Sequence, residues 1–316
     1  MRVAVILTGA LRTIKKTVYY LKANVLRDDV HIFACLQNDT NESEDEWNFW
    51  LREHLGDHIK STIWYTNEKY PEWAIQRDRL LENMQLDFGW KNYLQTSGSM
   101  LEYFQLHLAY LEMYRYETLS EKYSYIIRTR TDTIYNKPVD FHWLNWSDEE
   151  IEERMNKIRD NLESKTNKNV FTYFMNTIIS DDLIPNIKNI IAEYCPYEKE
   201  SNDSFTASTL GDYIRNGRYI LTIRKNNLYV VKRDLFYLIP SFGMMYGYFK
   251  SPNSDDYWFN AECQFRSACY HSCLSIFDYN TLLEDNSLQY AHLWNEDDFF
   301  VDGVCKPNML YCVVRK

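Results

Sequence analysis

The strongest constraint on the fold is an alternation of apolar β-rich runs with helical segments over the first 135 residues. We predict strands at residues 3–7 (VAVIL), 31–36 (HIFACL), 61–65 (STIWY) and 123–133. The segments between them predict helices at residues 12–21, 43–55 and 99–117. The second helix begins with a capping-box-like Ser-Glu-Asp-Glu, and the third has an apolar stripe of Leu101, Phe104, Leu108 and Leu111. Strands alternating with helices indicate an α/β fold with a mainly parallel sheet.

The second half of the chain has a different pattern. Residues 146–162 form a charged predicted helix with Ser147 as its cap, and the charged stretch 145–215 is the expected boundary zone. Residues 219–239 predict a β-hairpin that turns at Asn226-Asn227. A helix is expected after Ser254, with Trp258, Ala261, Phe265 and Ala268 on one face.

Charge and cysteine content narrow the classes of function and compartment. The formal net charge of −10 argues against sequence-independent binding to nucleic acid or to anionic membranes. The apolar run at the N-terminus is too short for a signal peptide or a membrane span. Seven cysteines without a tight framework indicate free thiols and a reducing compartment. We therefore expect a cytoplasmic protein without a transmembrane anchor.

Polar residues follow the first two predicted strands, where ligands bind in open parallel sheets. Gly9 would let the backbone approach a ligand, and Arg12 near a helix N-terminus would suit a phosphate, although the segment is neither a Rossmann fingerprint nor a P-loop. Asn38 and Asp39 would either hydrogen-bond a ribose or base, or form an Asx-turn. The candidate ligand contacts at these strand ends are Thr8, Gly9, Ala10, Arg12, Asn38 and Asp39.

The strand at 123–133 carries charges towards its end. Because side chains alternate in a strand, Arg128, Arg130 and Asp132 are expected on one face. Two interpretations remain open. Asp132 neutralises an arginine in a buried ion network, or Asp132 ligates a divalent cation on a nucleotide diphosphate while an arginine contacts a phosphate. In either case we expect Arg128 to brace the strand from within.

These residues resemble a known family. An N-terminal strand followed by Gly9-x-x-Arg12, and a YxxIIRxRxD strand ending at Asp132, are similar to GT-A type nucleotide-sugar glycosyltransferases. More narrowly, they resemble uncharacterised glycosyltransferase-like proteins of large DNA viruses and some bacteria. Later segments that resemble the same viral group are IRKNNLYVVKRDLF, IPSFGMMYG and WFNAECQF.

The resemblance implies roles for particular residues. In GT-A enzymes an Asp-x-Asp at this strand end binds Mn²⁺ and the sugar diphosphate. Here Arg130 stands at the first acidic position, where it is expected to be a ligand or brace for the donor diphosphate. Asp132 is then expected to ligate Mn²⁺ or Mg²⁺, with His292 completing the metal site or being structural. Glu262 is expected to bind the acceptor or act as the base, or else to pair with Arg266 on a solvated helix face.

The resemblance also implies a function and a domain plan. We expect a hexosyl- or pentosyltransferase that moves a sugar from a nucleoside diphosphate sugar to a hydroxyl of a glycan or glycoprotein, in viral glycan synthesis in the host cytoplasm. A catalytically inactive glycan-binding or scaffold protein and another nucleotide-dependent transferase are the alternatives. Residues 1–144 would form the nucleotide-sugar part, 145–215 a helical insertion, and 216–316 an acceptor-side part of the same domain with the hairpin and helices.

Overall fold

The computed structural model describes a defined part of the 316-residue chain. The described residues are 2–83, 92, 101–135, 138, 147, 149–150, 153, 219–224, 227–244, 261, 265, 269, 274–278, 289–293, 300–301, 304–305 and 309–314.

A seven-stranded sheet has the strand order β3-β2-β1-β4-β7-β6-β8. Its strands are β1 (Val3–Ala10), β2 (Val30–Gln37), β3 (Ile59–Trp64), β4 (Tyr125–Arg130), β6 (Tyr219–Arg224), β7 (Leu228–Lys232) and β8 (Ser275–Asp278). Strands β3, β2, β1 and β4 run parallel, β7 is antiparallel to both β4 and β6, and β6 runs parallel to β8. The predicted mixed, mainly parallel sheet of an α/β fold is confirmed.

The sheet is covered on both faces, which explains the continuous apolar runs. In β1, Ala4 and Ile6 belong to one core cluster, and Val3, Val5 and Leu7 belong to the cluster on the other face. All five side chains are buried. This is the pattern expected for a central parallel strand between two helical layers.

The described residues in the first part of the chain include four helices: α1 (Ile14–Asn24), α2 (Glu44–Leu55), α3 (Glu72–Asn83) and α4 (Leu101–Glu117). A short 3-10 helix, Leu11–Thr13, precedes α1. Helix α2 has the predicted capping box, since Glu46 N donates to Ser43 Oγ at 3.2 Å and Ser43 N donates to Glu46 Oε2 at 2.7 Å. The sequence therefore located the start of this helix correctly.

The buried residues of helix α4 differ from the predicted apolar stripe and cover more of the helix surface. Leu108 and Leu111 are only half-buried, whereas Tyr103, Leu106 and His107 are buried. The reason is that α4 packs between β1 and β2 on one side and α6 (Leu238–Met244) on another. A helix covered from two sides does not have a single apolar stripe.

The predicted hairpin is confirmed for β6 and β7, but its second strand is shorter than expected. Strand β7 ends at Lys232, which pairs with Tyr125, the first residue of β4. The chain then forms the helices α5 (Arg233–Phe236) and α6, so the prediction of strand up to Ile239 was wrong. Beyond Lys232 the strand pairing ends, Arg233 N donates to Ser124 O at 3.0 Å, and the Arg233 side chain turns inward to pair with Glu117.

The predicted strand at 123–133 is also divided. It breaks at Thr131 and Asp132, and β5 (Thr133–Tyr135) joins a second sheet of order β5-β12-β9 with β12 (Met309–Val314) and β9 (Gln289–Leu293). A separate pair consists of β10 (Phe300–Val301) and β11 (Val304–Cys305). Asp132 therefore lies in the connection between two sheets rather than on a strand.

The structure describes only some of the residues on which the predictions for the second half of the chain rest. Ser147 N donates to Glu150 Oε2 at 2.7 Å and Glu150 N donates to Ser147 Oγ at 3.2 Å, which confirms Ser147 as a helix cap. Ala261 and Phe265 are helical and buried. The main sheet contains strands from both 1–144 and 216–316, while the domain boundaries themselves stay predictions. Among the described helices, none has the length and apolar character that crossing a membrane requires.

Candidate functional site

The carboxyl ends of β1, β2 and β4 meet at one edge of the main sheet. Thr8 pairs in register with Cys35 of β2 and with Arg130 of β4, and Ala10 pairs with Gln37. This strand-end edge brings together the predicted contacts Thr8, Gly9, Ala10, Arg12, Asn38, Asp39, Arg130 and Asp132. The sequence-based expectation that these segments converge is met by the backbone.

Gly9 is required at this edge by a neighbouring side chain. Its φ angle is +133°, and a Cβ at this position would stand 2.5 Å from Thr131 Oγ1. Thr131 is fixed there, because its Oγ1 donates to Ala10 O at 2.6 Å and its N–H donates to Thr8 O at 3.1 Å. The glycine thus permits the close approach of Thr131 to β1, a reason that differs from the predicted approach of a ligand. The side chain of Thr8 is buried.

Asp39 caps the short helix that follows β1. Its Oδ1 accepts hydrogen bonds from Leu11 N at 2.9 Å and from Arg12 N at 3.1 Å. The backbone donors near which we predicted a bound phosphate therefore already have an anionic partner from the protein. The side chain of Arg12 is exposed at this position.

Asn38 adopts the turn that was one of its two predicted roles. Its Oδ1 accepts from Thr40 N at 3.1 Å and from Thr40 Oγ1 at 2.8 Å, and its Nδ2 donates to Glu42 O at 2.6 Å. These bonds fix the loop after β2, which places Asp39 over the start of the Leu11–Thr13 helix.

Arg130 and Asp132 form a bidentate ion pair. Arg130 Nε donates to Asp132 Oδ1 at 2.9 Å, and Arg130 Nη2 donates to Asp132 Oδ2 at 2.6 Å. Arg130 Nη1 also donates to Asn227 Oδ1 at 3.1 Å. Such two-pronged arginine–carboxylate contacts are both strong and geometrically specific.

Arg128 is fully buried, as its bracing role requires. Its Nη1 donates to Asn227 O, and its Nη2 donates to Glu102 Oε2 at 3.2 Å. Arg128 and Arg130 therefore lie on the same side of β4 and share Asn227 as a partner. Sequence reasoning missed Glu102 and recognised Asn227 only as a turn residue. The one available signal was an acidic residue within an apolar helix, which does not identify its partner.

The predicted cation site can be tested against this geometry. Both carboxylate oxygens of Asp132 already accept hydrogen bonds from Arg130, and the Asp132 side chain is only 9% exposed. Within the described ranges, no cluster of three or more His, Cys, Asp or Glu residues could hold a metal ion. As arranged here, Asp132 does not fit the role of a ligand for a divalent cation.

The remaining predicted site residues are described less completely. His292 lies on β9 in register with Val313 of β12, which in turn pairs with Thr133 of β5. The backbone of His292 is therefore two strands away from the residue that follows Asp132. Glu262 lies outside the described residues, so its predicted role as base stays a prediction.

The arrangement as a whole suits an anionic ligand better than a metal ion. At the strand-end edge, the partly exposed side chain of Arg130 holds an oriented guanidinium at the end of a central strand. Planar guanidinium groups match phosphate and carboxylate oxygens. The geometry therefore supports recognition of a phosphate-bearing ligand at this edge.

Comparison with known proteins gives distant structural similarities. No protein-family model matches the chain, and no curated protein matches it. Among solved structures, apo mouse xyloside xylosyltransferase 1 is similar, with 9% identity, a TM-score of 0.34, and coverage of 99% of this chain and 97% of that one. Core-mannan synthase A from Aspergillus fumigatus, in an Mn/GDP form, has 12% identity and a TM-score of 0.32, covering 89% of this chain and 73% of that one.

A third similar structure is the mannosyltransferase Ktr4p from S. cerevisiae in complex with GDP. It has 11% identity and a TM-score of 0.29, and the match covers 86% of this chain and 63% of that one. Similarity at these TM-scores is too low to transfer a function or a site residue to this chain.

Proposed function

We propose that this chain is a glycosyltransferase of the GT-A type that moves a sugar from a nucleoside diphosphate sugar to a hydroxyl of a glycan or glycoprotein. The observation that carries the proposal is the strand-end edge, where β1, β2 and β4 of a mainly parallel sheet end together beside the partly exposed side chain of Arg130. Nucleotide ligands bind at this edge in open α/β sheets. The motif resemblance at Gly9, Arg12 and Asp132 supports the same reading.

The reaction follows from the proposed roles. The bond between the anomeric carbon and the donor phosphate oxygen breaks, and the acceptor hydroxyl oxygen bonds to that carbon. The hydroxyl proton passes to a base, for which Glu262 is our candidate. The nucleoside diphosphate leaves with increased negative charge, which Arg130 stabilises by hydrogen bonds that strengthen in the transition state.

The finer assignments belong to the same proposal. The transferred sugar is a hexose or a pentose, and the setting is viral glycan synthesis in the host cytoplasm. Thr8, Gly9, Ala10, Arg12, Asn38 and Asp39 form the wall of the donor site, with Asp39 acting through the backbone of the Leu11–Thr13 helix. His292, whose backbone lies on β9 of the second sheet, stays a candidate residue of the site.

A screen of UDP- and GDP-sugars tests this function. We expect at least one of them to raise the melting temperature, and its hydrolysis to release free nucleoside diphosphate. Glu262→Gln should lower turnover strongly while the donor still raises the melting temperature, because the base does not hold the donor. Arg130→Ala should lower turnover by roughly 10²–10³-fold, as the loss of one fixed donor to a developing anion does.

A glycan-binding or scaffold protein is the second candidate. The observation in its favour is that Asp39 and Asp132 both make hydrogen bonds within the protein at the proposed site. If no UDP- or GDP-sugar stabilises the protein, with or without Mn²⁺, the glycosyltransferase proposal is wrong and the scaffold is preferred. Binding of glycans without release of nucleoside diphosphate would identify that second function.

A further inference from the structure

The two members of the ion pair between Arg130 and Asp132 differ in exposure. The side chain of Arg130 is 21% exposed, whereas that of Asp132 is 9% exposed. Both oxygens of Asp132 are directed at the guanidinium. Of the two side chains, that of Arg130 is the more accessible to an anionic ligand at the strand-end edge.

The guanidinium is held in place by partners from two parts of the chain. Asp132 fixes its Nε and Nη2, and Asn227 Oδ1 accepts from its Nη1 at 3.1 Å. Asn227 is itself buried, and its backbone oxygen accepts from the buried Arg128. A charged group that is already oriented loses little freedom when it binds a phosphate.

A divalent cation would have to compete with this arrangement. It would need to replace two charge-assisted hydrogen bonds on a carboxylate that is nine-tenths buried. It would also leave Arg130 close to a second positive charge. Both effects oppose the binding of a metal ion to Asp132 while the pair is formed.

Resting on the proposed function, we propose that Arg130 is the cation of the donor site and that nucleoside diphosphate binds without a divalent metal ion. Asp132 is then a positioning residue, which acts by orienting Arg130 and does not contact the phosphates. The arginine at the first position of the expected Asp-x-Asp thus replaces the metal ion as the positive charge of the donor site.

Calorimetric titration with UDP and with GDP tests the metal requirement. Each nucleotide is titrated in EDTA and again in Mn²⁺. We expect one nucleotide to bind in EDTA with an affinity within about threefold of its affinity in Mn²⁺, since no metal ligand is needed. Binding that requires Mn²⁺ would overturn this inference and leave the glycosyltransferase proposal standing. Absence of binding in both conditions would overturn the proposed function as well.

A substitution of Asp132 should change nucleotide affinity in opposite directions depending on whether Asp132 positions Arg130 or ligates a metal ion. Asp132→Asn removes a negative charge beside the phosphates but keeps an amide oxygen that accepts from Arg130, so affinity in EDTA should hold or tighten, by up to roughly 10-fold. A metal ligand changed in this way would instead lose binding. The charge-balanced double variant Arg130→Gln with Asp132→Asn should weaken binding by roughly 10–100-fold, the effect of losing hydrogen bonds from a charged donor.

Two controls keep these results interpretable. Arg115 lies exposed on α4 and pairs with Glu112, so Arg115→Gln removes an arginine without touching the strand-end edge. It should leave nucleotide affinity unchanged. Urea denaturation of every variant confirms that it is folded at the titration temperature. A folded double variant that binds UDP or GDP as tightly as the unchanged protein would overturn the role of Arg130.

Discussion

Replacing Gly9 by alanine tests how closely Thr131, which follows β4, approaches β1. The backbone of Gly9 has a φ of +133°, which L-residues rarely adopt, and the new Cβ would stand 2.5 Å from Thr131 Oγ1. Backbone strain of this kind costs about 1–3 kcal/mol, and forcing an extra carbon into a packed site costs about as much again. We therefore expect Gly9→Ala to lower the free energy of unfolding by about 4 kcal/mol.

Gly56→Ala is the matched control, since Gly56 also has a positive φ of +55° but a Cβ there would meet nothing within 4 Å. It should show the strain alone, about 1–3 kcal/mol. In a background of Thr131→Ala the Oγ1 is removed and the nearest remaining Thr131 side-chain atom, Cβ, stands 3.6 Å away. The cost of Gly9→Ala should then fall by about 1–3 kcal/mol.

Urea denaturation of the four proteins in this double-mutant cycle gives the coupling energy. The reasoning is refuted if Gly9→Ala lowers the free energy of unfolding no more than Gly56→Ala does, and if its effect is the same in the Thr131→Ala background as in the unchanged protein. In that case the glycine would not be needed for the approach of Thr131.

Two further predictions concern buried charge and pH. Arg233 and Glu117 form a buried ion pair with side chains only 3% exposed, so Arg233→Ala and Glu117→Ala should each cost about 3–5 kcal/mol in urea denaturation, because each leaves a lone buried charge. Asp234, a 71% exposed partner of Arg233, is the control, and a similar loss on Asp234→Ala would contradict this explanation. Burial lowers the pKa of His107 to about 4, and burial with nearby cations lowers that of His31 to about 4. As the pH falls, these histidines take up protons in the unfolded state before they do so in the folded state. The free energy of unfolding should therefore keep its full value above pH 6.5 and fall as the pH drops from about 6.5 to about 4, by roughly 3 kcal/mol for His107. Urea denaturation of His107→Gln should show a shallower fall, and an equal fall would rule out His107 as a cause of the pH dependence.

The first 135 residues could be interpreted from local pattern because their elements depend on neighbours in sequence. Strands β1 and β2 are continuous apolar runs, and Ser43 with Glu46 forms the helix cap that its spacing predicts. The end of β7 could not be located in this way. Residues 233–239 are as apolar as the strand before them, and their helical state depends on where β4 begins and on the buried pair with Glu117.

The sequence by itself determined most segments of the main sheet, although not β8, and which strand ends carry polar groups. Only the tertiary structure decided what those groups do, because their partners are distant in the chain. Asn227 is 97 residues from Arg130, Ala10 is 121 residues from Thr131, and Asp39 is 28 residues from Leu11. The alternation of a strand placed Arg128 and Arg130 on one side. Whether Asp132 faces a metal ion or an arginine depends on the geometry of the chain where it leaves β4, and there the structure pairs it with Arg130.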